Sequence, residues 1–115
     1  MKYIFLLYTP PEVRDDPAAR ASMEAWFAYG REIQESGVDL GNNALQGLDA
    51  ATTVRVRDGE TLISDGPFAE TKEMLGGYYV VDVPDRAAAL ALAARVPSAP
   101  YGTIEVRPIM EFDAS

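Results

Sequence analysis

YIFLLY, residues 3–8, is an unbroken run of apolar and aromatic side chains near the start of the chain. A second run with little polar content, GGYYVVDV, spans residues 76–83. Uninterrupted runs of this length are typical of strands that are covered on both faces. The two segments are therefore predicted to be central strands of one sheet, each buried on both sides.

A helix is predicted after the first strand, over residues 17–36. Apolar and small side chains recur there at roughly helical spacing, with charged residues between them. Asp16 followed by Pro17 is a favourable pair for the start of a helix, and Gly37 stands where helices commonly end. These signals predict one long amphipathic helix.

A second helix is predicted after the second apolar run, in DRAAALALAARV, residues 85–96. Alanine and leucine favour helices, and Pro97 ends the segment. The buried side of this helix is predicted to contain Ala89, Leu90, Ala93 and Val96.

Three further β segments complete the pattern. One short strand is predicted within residues 38–46, and a half-exposed strand within residues 102–112, where apolar and polar residues alternate. TTVRVRDGETLI, residues 52–63, is predicted to form a hairpin because it divides at Asp58-Gly59, a dipeptide favoured in two-residue turns.

The resulting order is β, α, β, hairpin, β, α, β. It predicts an α+β fold, a ferredoxin-like split βαβ sandwich with an inserted β-hairpin, as a single domain over residues 1–115. The helices of that fold cover one face of the sheet, which leaves apolar side chains of both central strands on the other face. A second copy of the chain is predicted to cover that face in a twofold dimer.

Composition limits the chemistry. A net charge of −8 argues against nucleic acid or an anionic membrane surface as the main partner. The chain has no cysteine and no histidine, so thiolate and imidazole groups are absent as ligands, nucleophiles and bases. No metal or cofactor site is predicted. The apolar run at the start is cut off by Thr9 and Pro10, too early for a signal or membrane segment, and a cytoplasmic protein is predicted.

DGPFAETKE, residues 65–73, is the motif with the most candidate chemistry. Its first three residues are typical of a turn, and Phe68 is expected to anchor the loop in apolar surroundings. Glu70 is a candidate base and Lys72 a candidate anion-binding group, although an ion pair between Lys72 and an acid would explain both. The catalytic candidates are Asp65, Glu70 and Lys72, and the ligand-binding candidates are Tyr8, Phe68 and Arg107.

Several separated segments resemble the YCII-related family, in particular its branch with the DGPF signature. DGPFAETKE is followed by GGYYVVDV, an alanine-rich helix and YGTIEVRP, and MKYIFLLY, TTVRVRDG and EVRPIMEF are also similar. The resemblance implies a dimeric fold of the α+β-barrel type and an undefined activity. The catalytic role suggested for YCII-type proteins uses a histidine and aspartate pair, which this chain cannot provide because it has no histidine. Members with the signature are often encoded beside extracytoplasmic-function sigma factors.

Two functions follow as alternatives. In the first, the protein binds a small, anionic molecule in a cleft near residues 65–73, with or without acid/base chemistry. In the second, which the resemblance implies, it is a non-catalytic accessory protein that acts with a regulatory protein partner. The sequence leaves open whether the protein is an enzyme.

Overall fold

The computed structural model describes residues 1–68 and 72–112. None of the helices in these residues is long and apolar enough to cross a membrane. Two short 3₁₀ turns, Pro17–Ala19 and Leu48–Ala50, accompany the main elements. In chain order these are β1 (Lys2–Thr9), α1 (Pro11–Arg14), α2 (Met23–Glu35), β2 (Asp39–Ala44), β3 (Thr52–Arg57), β4 (Glu60–Asp65), β5 (Met74–Asp82), α3 (Arg86–Ala93) and β6 (Thr103–Pro108).

Four strands form an antiparallel sheet in the order β2-β5-β1-β6, and β3 and β4 form a separate hairpin. Tyr3 at the start of β1 lies opposite Val81 on one side and Pro108 on the other. The predicted ferredoxin-like α+β fold and the central position of the two apolar strands are both confirmed.

The core lies between one face of this sheet and helices α2 and α3. Alternate residues of β1 point into it, because side chains along a strand alternate between faces. Phe5 of β1, Ile33 of α2 and Val96 after α3 are fully buried there. The other buried members of the core are Tyr3, Leu7, Tyr29, Tyr79, Val81, Val83, Ala89 and Ala93.

The opposite face of the sheet, called the open face below, is only half-buried. It carries the other side chains of the two central strands: Ile4, Leu6 and Tyr8 from β1, and Tyr78 and Val80 from β5. In the chain by itself the helices thus leave one face of the central strands open, as the predicted fold requires, and the cover of that face by a second copy stays a prediction. Within the described residues the helices pack on one face alone.

The predicted long helix over residues 17–36 is also wrong at its start. Asp16 does cap Pro17, but its carboxylate accepts a hydrogen bond from the Ala18 amide and closes only a 3₁₀ turn. The backbone is extended again at Arg20, and Ser22 caps α2 through the Ala25 amide. The predicted end is confirmed, because Gly37 has a positive φ of 77° just after the helix.

Helix α3 is confirmed, with Asp85 accepting a hydrogen bond from the Ala88 amide at 2.8 Å. Its buried side differs from the prediction in one residue. Leu90 is 39% exposed, whereas Ala89 and Ala93 are buried. Leu90 follows Ala89 by about 100° around the helix axis, which turns it out of the core.

The hairpin turns at Asp58-Gly59 as predicted. Both residues have positive φ, 51° and 78°, which is the geometry of the type I′ turn that matches the twist of paired strands. Val54 lies opposite Ile63 in the register of the two strands.

Tyr29 of α2 contacts both the sheet and helix α3. Its ring packs edge-on against the Tyr79 ring with centroids 5.3 Å apart, and its hydroxyl donates a hydrogen bond of 2.9 Å to the Leu92 carbonyl. Burial raises the pKa of the Tyr29 phenol above its ordinary value, because the phenolate would lose its hydration.

We expect alkaline pH to unfold the protein partly through Tyr29. The raised pKa stabilises the folded state fully below the unfolded-state pKa of about 10, and this stabilisation is lost as pH rises above it. Tyr29→Phe should cost about 1 kcal/mol at neutral pH, through the lost hydrogen bond. The free energy of unfolding, measured with urea, should fall less between neutral pH and about pH 11 for Tyr29→Phe than for the wild type. Equal losses would show that Tyr29 does not titrate on unfolding.

Candidate functional site

A hollow of about 530 Å³ lies at the end of the sheet where β1 finishes and β6 begins. Its walls come from three parts of the chain: the end of β1, the start of β6, and the segment just before β5. The lining residues are Tyr8, Lys72, Glu73, Thr103 and Glu105.

Tyr8 reaches the hollow at an irregularity in the sheet. The register between β1 and β5 shifts between Leu7 and Tyr8, so that Leu7 lies opposite Gly77 and Tyr8 opposite Leu75. Gly76 is the extra residue of this bulge, and bulges commonly redirect side chains next to functional sites. Pro10 follows Tyr8 closely and ends the strand.

Gly102 allows β6 to start beside Tyr8. A Cβ atom on Gly102 would lie 2.4 Å from the Tyr8 carbonyl oxygen and 3.1 Å from the Ser98 carbonyl oxygen. The Gly102 amide donates a hydrogen bond of 2.7 Å to that same Ser98 oxygen. Only glycine fits this approach, and it places Thr103 directly opposite Tyr8.

The two carboxylates in the hollow already have partners. Thr103 donates a hydrogen bond to Glu73 at 3.1 Å, and the Arg107 Nε donates to Glu105 at 2.9 Å. The hydrogen bond that Arg107 donates to Glu105, and next the negative charge of Glu105, raise the pKa of the Arg107 guanidinium. Lys72 takes part in none of the ion pairs formed among residues 1–68 and 72–112.

A second hollow of about 660 Å³ adjoins the first. It is lined by Pro10, Pro11 and Glu12 as well as by Lys72 and Glu73. Lys72 and Glu73 therefore lie between two neighbouring hollows. The Lys72 ammonium can contact a ligand in either of them. In the described part of the chain, no group of three or more acidic residues is placed to hold a metal ion.

The structure brings together some of the residues singled out in the sequence. Tyr8 and Lys72 line the first hollow, and Arg107 borders it through its bond to Glu105. Asp65 and Phe68 are not among the lining residues of either hollow. Glu70 lies outside the described residues.

Phe68 is not an apolar anchor, so that prediction is wrong. Its side chain is 76% exposed, and the Arg55 guanidinium lies over its ring, 5.0 Å from the centroid. The turn after β4 is held instead through Gly66, whose φ is 98°. The Gly66 amide donates to the Ala51 carbonyl at 2.7 Å, and its carbonyl accepts from the Thr53 hydroxyl at 2.7 Å.

Thr103 and Glu105 belong to the hollow but are not predicted from the sequence as site residues. The alternation in β6 does place both on the face of Arg107, which is a usable signal. The sequence does not specify the register of β1 and β6, which places Thr103 opposite Tyr8.

Comparison with known proteins identifies relatives of this chain. The YCII-related domain matches residues 1–113. An uncharacterized protein of Rhizobium meliloti (strain 1021) is 47% identical over 62 residues, which is 52% of this chain and 50% of the relative's length. The chain thus spans about half the length of the curated relative that it matches. Because the family match extends over nearly the whole chain, the protein belongs to the YCII-related domain family.

Proposed function

We propose that this protein binds a small molecule with an anionic group in the hollow beside Lys72. One observation carries the proposal: the hollow presents an ammonium group that pairs with none of the described carboxylates, next to the side chain of Tyr8. A carboxylate or phosphate on the ligand would accept charge-assisted hydrogen bonds from this ammonium group.

The acidic residues of the hollow do not prevent this binding. Glu105 is neutralised by Arg107, and Glu73 accepts a hydrogen bond from Thr103. The positive charges of Lys72 and Arg107 balance the negative charges of Glu73 and Glu105 in and beside the hollow. The net charge of −8 of the whole chain is therefore not concentrated there. A ligand with both an anionic and a polar or cationic group suits this mixed lining best.

We expect Lys72 to respond to anions directly. The chain has only two lysines, Lys2 and Lys72, so ¹³C reductive methylation labels these side chains and the N-terminal amine while keeping their charge. Titration with malonate and with inorganic phosphate should shift the Lys72 methyl signal in a saturable way. The Lys2 signal should stay unchanged, because Lys2 lies in an exposed pair with Glu111 at 3.8 Å.

Matched variants separate this site from general charge effects. Lys72→Met should weaken binding of the probe that saturates by about tenfold or more, as expected for a lost hydrogen bond to a charged group. Lys2→Met removes the same charge elsewhere and should change binding by no more than about twofold. Equal shifts of both lysine signals, or binding that survives Lys72→Met, would place the ligand elsewhere and refute the proposal.

A further inference from the structure

The β3–β4 hairpin, called the arm below, has a patch without charge on one face, near its turn, and this patch is called the uncharged face. Residues directly opposite each other in a hairpin share a face. Val54 lies opposite Ile63, and Val56 lies opposite Thr61, so these four side chains form a patch without charge. The next pair on the same face, Thr52 and Asp65, ends the patch with a carboxylate. The pairs Arg55–Leu62 and Arg57–Glu60 lie on the other face of the arm.

The uncharged face is open to solvent along the strands. Val54 is 60% exposed, Val56 59% and Ile63 69%. In the described residues β3 and β4 pair only with each other, as a two-stranded sheet. A two-stranded hairpin by itself is marginally stable in water, and a contiguous apolar surface of this kind commonly marks an interaction site.

The whole chain exposes more surface than a compact protein of its mass. Its accessible area is 8022 Å², against about 6,200 Å² for a typical folded monomer of 12.5 kDa. Its radius of gyration is 16.3 Å, against about 13 Å for a compact domain of this length. The molecule measures 49 × 46 × 19 Å, so the excess reflects a flat, extended shape.

We propose that the arm is a dimerisation element that packs its uncharged face against a second copy of this chain. The excess area is about 1,800 Å² per chain, so a dimer that removed it would bury about 3,600 Å² in total, within the range of obligate dimers. The same chain also offers the half-buried apolar side chains of the open face, including Ile4, Leu6 and Val80. A twofold dimer buries such surfaces on both copies at once.

Double substitutions on opposite faces of the arm test this proposal. Val54→Lys with Ile63→Glu places an attractive pair across the strands, which keeps the hairpin paired while it charges the uncharged face. Arg55→Lys with Leu62→Glu places the same pair on the other face and is the matched control. The native fold of each variant is checked by circular dichroism and by Trp26 fluorescence.

Sedimentation velocity then measures the dimer dissociation constant. The wild type is expected to be a dimer at micromolar concentration. Val54→Lys/Ile63→Glu should raise the dissociation constant by about 100-fold or more, because it charges the centre of the interface. The control should change it by no more than about threefold. A monomeric wild type at about 100 µM, or two variants with equal effects, would overturn the proposal.

A photo-crosslinker keeps the test decisive if the charged variant fails to fold. Benzoyl-phenylalanine in place of Thr61 would lie on the uncharged face of the arm. The same group in place of Leu62 would lie on the other face. In a mixture of ¹⁴N and ¹⁵N chains, position 61 should give products that join a light and a heavy chain, in at least about tenfold greater yield than position 62. Products confined to one chain, or equal yields from both positions, would refute the role of the arm.

Discussion

Phe5→Ala is expected to lower the free energy of unfolding by about 3–5 kcal/mol, the range for truncation of a buried aromatic residue. Phe5 is fully buried at the centre of β1, between β5 and β6, and lies opposite Tyr79 and Val106. The neighbouring strands hold their positions through backbone hydrogen bonds, so the cavity left by the ring cannot collapse. Because small domains have a total stability of about 5–15 kcal/mol, this variant should be near its unfolding threshold at room temperature.

Urea unfolding at several protein concentrations measures this effect, with Leu6→Ala as its control. Leu6 is the next residue of the same strand but lies on the half-buried open face. In a dilute sample its truncation should cost only about 1–2 kcal/mol, in proportion to the smaller area that it buries. If a second copy covers the open face, the cost of Leu6→Ala should rise with protein concentration. A cost for Phe5→Ala no larger than that for Leu6→Ala would contradict the assignment of the two faces.

Gly102→Ala is expected to lower the free energy of unfolding by about 2–3 kcal/mol. The new methyl group would meet two carbonyl oxygens, of Tyr8 and Ser98, and backbone atoms cannot move aside as a side chain does. The strain would separate β6 from the end of β1, where Tyr8 and Thr103 line the hollow. Thermal and urea unfolding measure the stability, and the lysine methyl titration measures the effect on anion binding.

Gly30→Ala is the matched control for this substitution. Gly30 lies within α2, and no atom lies within 4 Å of where its Cβ would stand. The same added methyl should therefore stabilise the protein, by about 0.5–1 kcal/mol, because alanine is the better helix former. A Gly102→Ala variant as stable as the wild type would show that the backbone at Tyr8 adapts more easily than the geometry implies.

Much of the fold can be predicted from the sequence because its signals are local. The apolar runs mark β1 and β5, and Asp58-Gly59 marks the hairpin turn. The start of α2 cannot be predicted in this way, because Asp16-Pro17 is as suitable for a 3₁₀ turn as for a helix. The extended link before Ser22 depends on a distant residue, since the Ala21 amide donates to the Tyr101 hydroxyl at 2.9 Å.

The candidate site can be predicted only in part, for a related reason. Tyr8 is predictable because it stands at a strand end next to a proline turn, and Lys72 because it is one of only two lysines and lies in a charged motif. Thr103 and Glu105 join them only through the pairing of β1 with β6, which no short stretch of sequence specifies. The buried and open sides of β1 look alike in the sequence, because both are apolar. What distinguishes them is the position of the helices.

The central position of β1 has a consequence for how the chain folds. β1 precedes the other strands in the chain, yet Lys2 pairs with Asp82 and Tyr3 pairs with Pro108. Closing such long loops is slow, and the four-stranded sheet cannot be complete on the ribosome before β6 has emerged. Until then the apolar run of β1 is a target for chaperones and for aggregation. The hairpin, whose two strands pair only with each other in the described residues, can form while later parts of the chain are still being made.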